Sequence, residues 1–230
     1  MAAVLEVIAA SLEDCVQAEA GGADRLELVA SPELGGLTPP FELVEQALNT
    51  VKIPVRVILR HQPSMSAGSL RELHALQHAA AQFARLAIDG LVIGFVQNGA
   101  IDTPAVREIC TAAPHTPLTF HRAFDVVADQ ARALEEISHC PQIDRILTRG
   151  AGQSGPERFS SALSWQQKAA PRLTIVWAAG RDAAVIDASK IAASGLELHV
   201  GRAARSPQTA AASVSRAQVA SLKLALNGVP

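Results

Sequence analysis

Tyrosine is absent from this chain, and aromatic residues of any kind make up 3% of it. That excludes an aromatic platform on which single-stranded nucleic acid could stack. No charge of one sign dominates. Twenty basic and 22 acidic residues leave a net charge of −2, so there is no electrostatic footprint for nucleic acid or an anionic membrane. The three cysteines, Cys15, Cys110 and Cys140, are far apart and form no CxxC pair. They read as small buried hydrophobes, and so sparse and odd a count fits a reducing cytoplasm. No apolar run approaches the length of a membrane span. The apolar start, Met1–Ala10, is short, has no basic residue and carries Glu6. It reads as a first strand, not a signal peptide. The turn that follows, Ala9-Ala10-Ser11, contains no GxGxxG, which argues against a dinucleotide fold.

What is present is a regular alternation. Apolar residues make up 49% of 230, ample for one sizeable core. Eight short apolar runs read as strands: Leu5–Ala9, Leu26–Val29, Val55–Leu59, Leu91–Ile93, Leu118–Phe120, Ile143–Leu147, Leu173–Trp177 and Leu196–Val200. Helical patterns follow them at Leu12–Ala20, Phe41–Leu48, Leu70–Leu86, Ala105–Ala112, Ala131–Ile137, Arg158–Ala169, Val185–Ala193 and Arg216–Leu226. Ser11 and Ser69 are placed as N-caps, the latter with Glu72 in a capping box. Thr103-Pro104 and Gly155-Pro156 start helices with proline in the first turn. Gly21-Gly22, Gly90 and Gly195 stand where helices stop. Pro63–Gly68 reads as a loop over the third strand. Eight strand–helix units without a linker predict a single-domain α/β protein, a compact (β/α)8 TIM-type barrel over residues 1–230. An open doubly wound sheet is the alternative, and it normally has fewer strands.

In such a barrel the site forms at the C-terminal ends of the strands. The segment Thr119-Phe120-His121-Arg122-Ala123-Phe124-Asp125 puts an imidazole, a guanidinium and a carboxylate at the end of a buried strand, where unpaired charge is costly. Glu6, Glu27, Arg60, Thr148 and His199 end or lie in other runs. The first, second and eighth strands are neighbours once a barrel closes, so Glu6, Glu27 and His199 are expected to converge, with His121 or Arg122 reaching in from across the mouth. The structural alternatives are an ion pair of Glu6 with Arg25, Arg56 or Arg60, and a core histidine at 199. Asp125 either caps the following segment or holds His121 or Arg122. His74 and His78, four apart, read as a solvated helix face, and His115 and His139 carry little weight. The turns Leu147–Gly152, Trp177–Arg181 and Val200–Arg202 are candidates for holding an anion on backbone N–H groups, with Arg149, Arg181 and Arg202 adding charge.

Several stretches together resemble the CutC family, named for copper homeostasis. They are Leu5-Glu6-Val7, Ala18–Leu28, Gly35–Pro39, Gly90–Gly94, Gly99–Asp102, the segment around His121, Asp144–Thr148 and Glu197-Leu198-His199. The resemblance implies a TIM barrel and cytoplasmic copper handling, with copper as a possible cofactor through cysteines near the first two strands. The corresponding residues here are Ile8 and Val29, which cannot ligate a metal. The family's IRPR-like stretch reads Leu59-Arg60-His61-Gln62, and its GGG-type turn reads Ala178-Ala179-Gly180.

Three functions follow from these readings. One is direct metal binding, with His121 and His199 as ligands beside Glu6, Glu27 and His61; such donors suit Zn(II) or Cu(II) better than Cu(I). Another is acid–base chemistry of the isomerase or lyase type on a small anionic metabolite, using Glu6, Glu27, His121 and His199 with Arg60 or Arg122 as anion holder. No lysine ends a strand, which disfavours a Schiff base. The third is a degenerate barrel kept for protein contacts. Partners are thus a metal ion or small metabolite and, through a helix face, a second copy in a homodimer; neither nucleic acid nor membrane is expected.

Overall fold

Each apolar run forms one strand of a closed parallel barrel in the computed structural model, which describes residues 3–180 and 188–228. The strands are β1 (Leu5–Ala9), β2 (Arg25–Leu28), β3 (Val55–Ile58), β4 (Gly90–Ile93), β5 (Leu118–Phe120), β6 (Ile143–Thr148), β7 (Thr174–Ala178) and β8 (Glu197–Val200). Consecutive strands pair, and β8 closes on β1. The helices are α1 (Leu12–Ala20), α2 (Phe41–Thr50), α3 (Leu70–Phe83), α4 (Thr103–Ala112), α5 (Gln130–Ser138), α6 (Gly155–Ala169), α7 (Ala188–Ser194) and α8 (Arg216–Leu226). The predicted residues 185–187 of α7 lie outside the described residues.

Local chemistry sets these boundaries. Ser11 and Ser69 accept N–H bonds from the first turns of α1 and α3, and Glu72 closes the capping box. Ser154 and Glu157 form a second box at α6. Gly90 does not stop a helix. α3 has already ended at Phe83, and Gly90 opens β4, where a Cβ would lie 2.5 Å from the Pro117 carbonyl oxygen and 3.2 Å from the Arg56 guanidinium carbon. A short hairpin, Val96–Gln97 with Ala100–Ile101, follows β4 and was not anticipated. Its Asn98-Gly99 turn has positive φ at both residues, the geometry this dipeptide favours.

Strand alternation sorts the side chains into two environments. Leu5, Val7 and Ala9 of β1, Leu26 and Leu28 of β2 and Val55 and Val57 of β3 face outward into the large core beneath the helices. Glu6, Arg25, Glu27, Arg56, Arg145, Glu197 and His199 point inward. The lower interior is therefore an ion-pair layer. Arg56 donates to Asp89 (2.7 Å), to both oxygens of Asp144 (2.8 and 2.7 Å) and to Thr119 Oγ1 (2.6 Å). Arg145 donates to Glu197 at 3.0 Å and also to Asp144. A small apolar layer of Val29, Ile58 and Val92, backed by Ile8 and Ala10, lies toward the mouth. Among the described residues no helix is long and apolar enough to cross a membrane.

Candidate active site at the barrel mouth

The register of three strands builds the centre of the site. Glu6 is level with Arg25 on one side and with His199 on the other. Arg25 Nε donates to Glu6 Oε2 at 2.5 Å, and its Nη2 donates to Glu197. Of the three arginines considered as partners for Glu6, Arg25 takes the role. The other carboxylate oxygen, Glu6 Oε1, lies 2.7 Å from His199 Nδ1, and His199 Nε2 lies 3.4 Å from Glu27 Oε2. A continuous chain of charge thus runs from Glu197 through Arg25, Glu6 and His199 to Glu27. All five residues are buried.

Environment then divides the protonation states. Burial works against an ionised Glu6, but the Arg25 guanidinium and the His199 hydrogen bond outweigh it and hold this carboxyl far below its ordinary range. Burial likewise opposes a charged His199. The Glu6 hydrogen bond and the Glu27 and Glu6 charges prevail, and its pKa is raised. Glu27 has no arginine bonded to it; burial dominates and pushes it up to about 7 despite the nearby His199. Two neighbouring carboxyl groups thus have their pKa values moved in opposite directions by their surroundings.

Glu27 and His199 open onto a cavity of about 500 Å³. Its walls include Ile8, Val29, Ile58, Met65 and Leu147, and its polar lining is weighted to arginine: Arg60, Arg122, Arg149, Arg202 and Arg205 against Glu27 and Glu33. His121 lines the cavity from β5. Its Nδ1 accepts the Ala123 N–H at 3.0 Å, so Nε2 carries the ring proton, and that atom is buried with no partner among the described residues. Burial, then the Arg60 and Arg122 charges, lower its pKa to about 3. The ring is a neutral N–H donor without an acceptor among the described residues. Gly94 makes room for it, because a Cβ there would lie 2.3 Å from His121 Nδ1. Gly94→Ala is expected to displace the ring and cost about 1–3 kcal/mol through overpacking. Chemical denaturation measures that cost, and His121 ring NMR shifts unchanged from wild type would refute it.

The family model for the CutC family matches residues 3–203. The chain belongs to the CutC family. A CutC family protein of Xanthomonas campestris pv. campestris is 34% identical over 207 residues, covering 90% of this chain and 85% of that protein. One from Vibrio parahaemolyticus is 35% identical over 182 residues, 78% of this chain and 73% of its own length. The crystal structure of a protein from Streptococcus agalactiae carrying the copper-homeostasis name CutC superposes with a TM-score of 0.74 at 24% identity, covering 86% of this chain and 98% of that one. A sialic acid aldolase of Ruminococcus gnavus shares the barrel at a TM-score of 0.63 and 12% identity, covering 86% of this chain and 67% of its own.

Within this CutC barrel the predicted site residues take different places. Glu6, Glu27 and His199 converge, with one donor atom of each within 4.8 Å of the others. Glu6, however, does not line the cavity; it stands behind His199 and orients it. His121 stands outside that cluster, so the two histidines expected to share a metal are not gathered with a third ligand among the described residues. Arg60 departs from its expected role as anion holder. Its donors go to the carbonyls of Gly35 (3.0 Å), Ser64 (3.4 Å) and Pro63, clamping two mouth loops together. Asp125 holds Arg122 (2.9 Å), not His121, and also accepts from Thr148 Oγ1 (2.5 Å) and the Arg149 N–H (3.2 Å).

The turn after β6 is no anion cradle. The N–H groups of Arg149, Gly150 and Ala151 are spent on Asp125, Thr148 and Ser161. Arg181 lies outside the described residues. Arg205 was missed. It is buried against Ile8 O (3.1 Å) and Asp14 (3.2 Å), and nothing in its sequence neighbourhood signals this. Glu197 and Arg145 were legible in principle, since each stands two residues before a cavity-lining residue on the same strand face.

Proposed function

We propose that this protein is an enzyme performing acid–base chemistry on a small anionic carbonyl metabolite, in the setting of copper homeostasis that the name of its Streptococcus agalactiae relative suggests. The observation that carries the reading is the pairing of Glu27, poised near neutral pH, with the unpartnered Nε2–H of His121 in one arginine-lined cavity. Glu27 takes a proton from the carbon beside a carbonyl. The charge that develops on the carbonyl oxygen is met by the His121 N–H, a neutral donor that costs no reorganisation. With an α-hydroxy carbonyl, passage of the hydroxyl proton to the carbonyl oxygen and return of the Glu27 proton to the former carbonyl carbon give the isomeric carbonyl; with a leaving group at the β-carbon, its expulsion from the enolate gives a lyase reaction. His199, fixed by Glu6, stands beside Glu27 with its pKa raised by these two carboxyl groups. The exposed Arg122, Arg149 and Arg202 attract the substrate's carboxylate or phosphate.

Copper at the mouth is not supported by the donors. The family's thiolate positions are Ile8 and Val29, and both line the cavity wall. The oxygens of Glu6 are committed to Arg25 and His199, and the same contact raises the His199 pKa, which opposes the neutral imidazole that a ligand requires.

The test is a thermal-shift screen of small phosphorylated and carboxylated carbonyl compounds, followed by NMR detection of solvent deuterium exchange into any that stabilise. Compounds that raise the melting temperature and exchange are expected, and Arg149→Gln with Arg202→Gln should weaken both effects. Stabilisation by Zn(II) but by no anion would overturn the reading.

A further inference from the structure

Two of the three cysteines meet on the outside of the barrel. Cys110 lies in the last turn of α4, and Cys140 follows α5 in the turn that enters β6. Thirty residues apart in sequence, their sulfurs are 3.4 Å apart, and both are half-buried. This departs from the expectation of isolated buried hydrophobes, which Cys15 alone meets. The helices of a (β/α)8 barrel end at the face opposite the mouth, so the pair is separated from the cavity by the depth of the barrel.

The surroundings fix the pair in place. The Arg172 guanidinium donates to the carbonyls of Ser138 (2.8 Å), Ile143 (2.9 Å) and Cys140, which fixes the turn and places a cation beside it. The two thiols form one sulfur–sulfur hydrogen-bonded pair with that cation at its edge. No third His, Cys, Asp or Glu donor atom joins them among the described residues, where the three-donor grouping is Glu6, Glu27 and His199. Structural zinc requires four donors. A pair of soft thiolates with no further ligand suits Cu(I), which is content with two.

We propose that Cys110 and Cys140 form a two-coordinate Cu(I) site on the helical shell of the barrel. Cu(I) displaces the thiol protons: two S–H plus Cu⁺ become S–Cu–S⁻ plus two H⁺, with no change of oxidation state. Arg172 balances the remaining negative charge. The sulfurs part modestly by side-chain rotation to admit the ion. The site rests on the sulfur pair alone and is independent of the acid–base reading of the mouth.

The experiment is an anaerobic titration of the reduced full chain with Cu(I) against bathocuproine disulfonate. Wild type is expected to hold one Cu(I) per chain. Cys15→Ala and His121→Asn should match it, whereas Cys110→Ser or Cys140→Ser should weaken binding by more than about 100-fold, since loss of a ligand exceeds the effect of losing its supporting shell. Iodoacetamide labelling of wild type gives a readout independent of whether the serine variants fold: Cu(I) should protect Cys110 and Cys140, and equimolar Zn(II) should not. The inference is overturned if Cu(I) leaves both cysteines open to labelling. It is equally overturned if binding survives both serine variants, if it is lost in His121→Asn instead, or if the pair merely oxidises in air and takes up no Cu(I).

Discussion

Arg25→Ala is expected to destabilise the folded chain by about 3–5 kcal/mol, the range for removing one partner of a buried ion pair. Arg25 is 3% exposed and bonds two carboxylates, Glu6 and Glu197, that are themselves buried. Removing the guanidinium leaves Glu6 with His199 alone and Glu197 with Arg145 alone. At about 2–4 °C per kcal/mol for a chain of this size, the melting temperature should fall by about 6–20 °C. The double variant Arg25→Ala/Glu6→Gln should recover part of the loss, because the stranded charge is removed as well. Urea denaturation of the two variants decides the matter. A loss below about 1 kcal/mol for Arg25→Ala is what a solvated surface pair would show, and would mean that the interior layer is not the electrostatic unit described above.

The second large effect concerns Glu27. Glu27→Gln should abolish solvent deuterium exchange into a bound carbonyl ligand, a loss of at least about 10²–10⁴-fold, the contribution of a positioned base. In the wild type that exchange should rise with pH through about 7, since Glu27 must be ionised to accept the proton. Stability should move the other way. The folded carboxyl titrates near 7 against an ordinary 4.5, so between these values the native chain keeps a proton that the unfolded chain has released. Stability therefore falls as pH rises through this window. His199, with its pKa also raised, adds in the same direction above its ordinary 6.5. Glu27→Gln removes the first contribution and, with the Glu27 charge gone, weakens the second, so its advantage over wild type in unfolding free energy should grow from pH 5 to pH 8. A variant that retains exchange, with a pH profile parallel to that of wild type, would show that Glu27 is a structural partner of His199 and no base.

The mouth and the shell divide the chemistry. The match to the Xanthomonas relative covers 90% of this chain, and Ile8 and Val29 form part of the apolar wall of its mouth. No cysteine is among the described residues that line the mouth, and two sulfurs are in contact on the opposite face. Direct copper contact and carbon acid chemistry then need not compete for the same residues, and Cys140→Ser and Glu27→Gln should each disable one without the other.

Local pattern was enough for the scaffold. The bounds of β1, β5, α1 and α8 follow from apolar runs and caps, because strand alternation, helix periodicity and N-cap hydrogen bonds are all decided within a few residues. The convergence of Glu6, Glu27 and His199 was also legible, since counting eight strands makes the first and last neighbours. What the sequence by itself determined, then, was the barrel and which side chains face its axis. Only the tertiary structure decided how each donor is spent: Arg25 on a carboxylate 172 residues away, Arg60 on loop carbonyls instead of an anion, the N–H groups after β6 on Asp125, Thr148 and Ser161, and Cys110 on Cys140. The physical reason is that periodicity fixes the face a residue occupies, whereas a hydrogen bond or thiol contact of a few ångströms depends on the register and depth at which separate strands and helices meet.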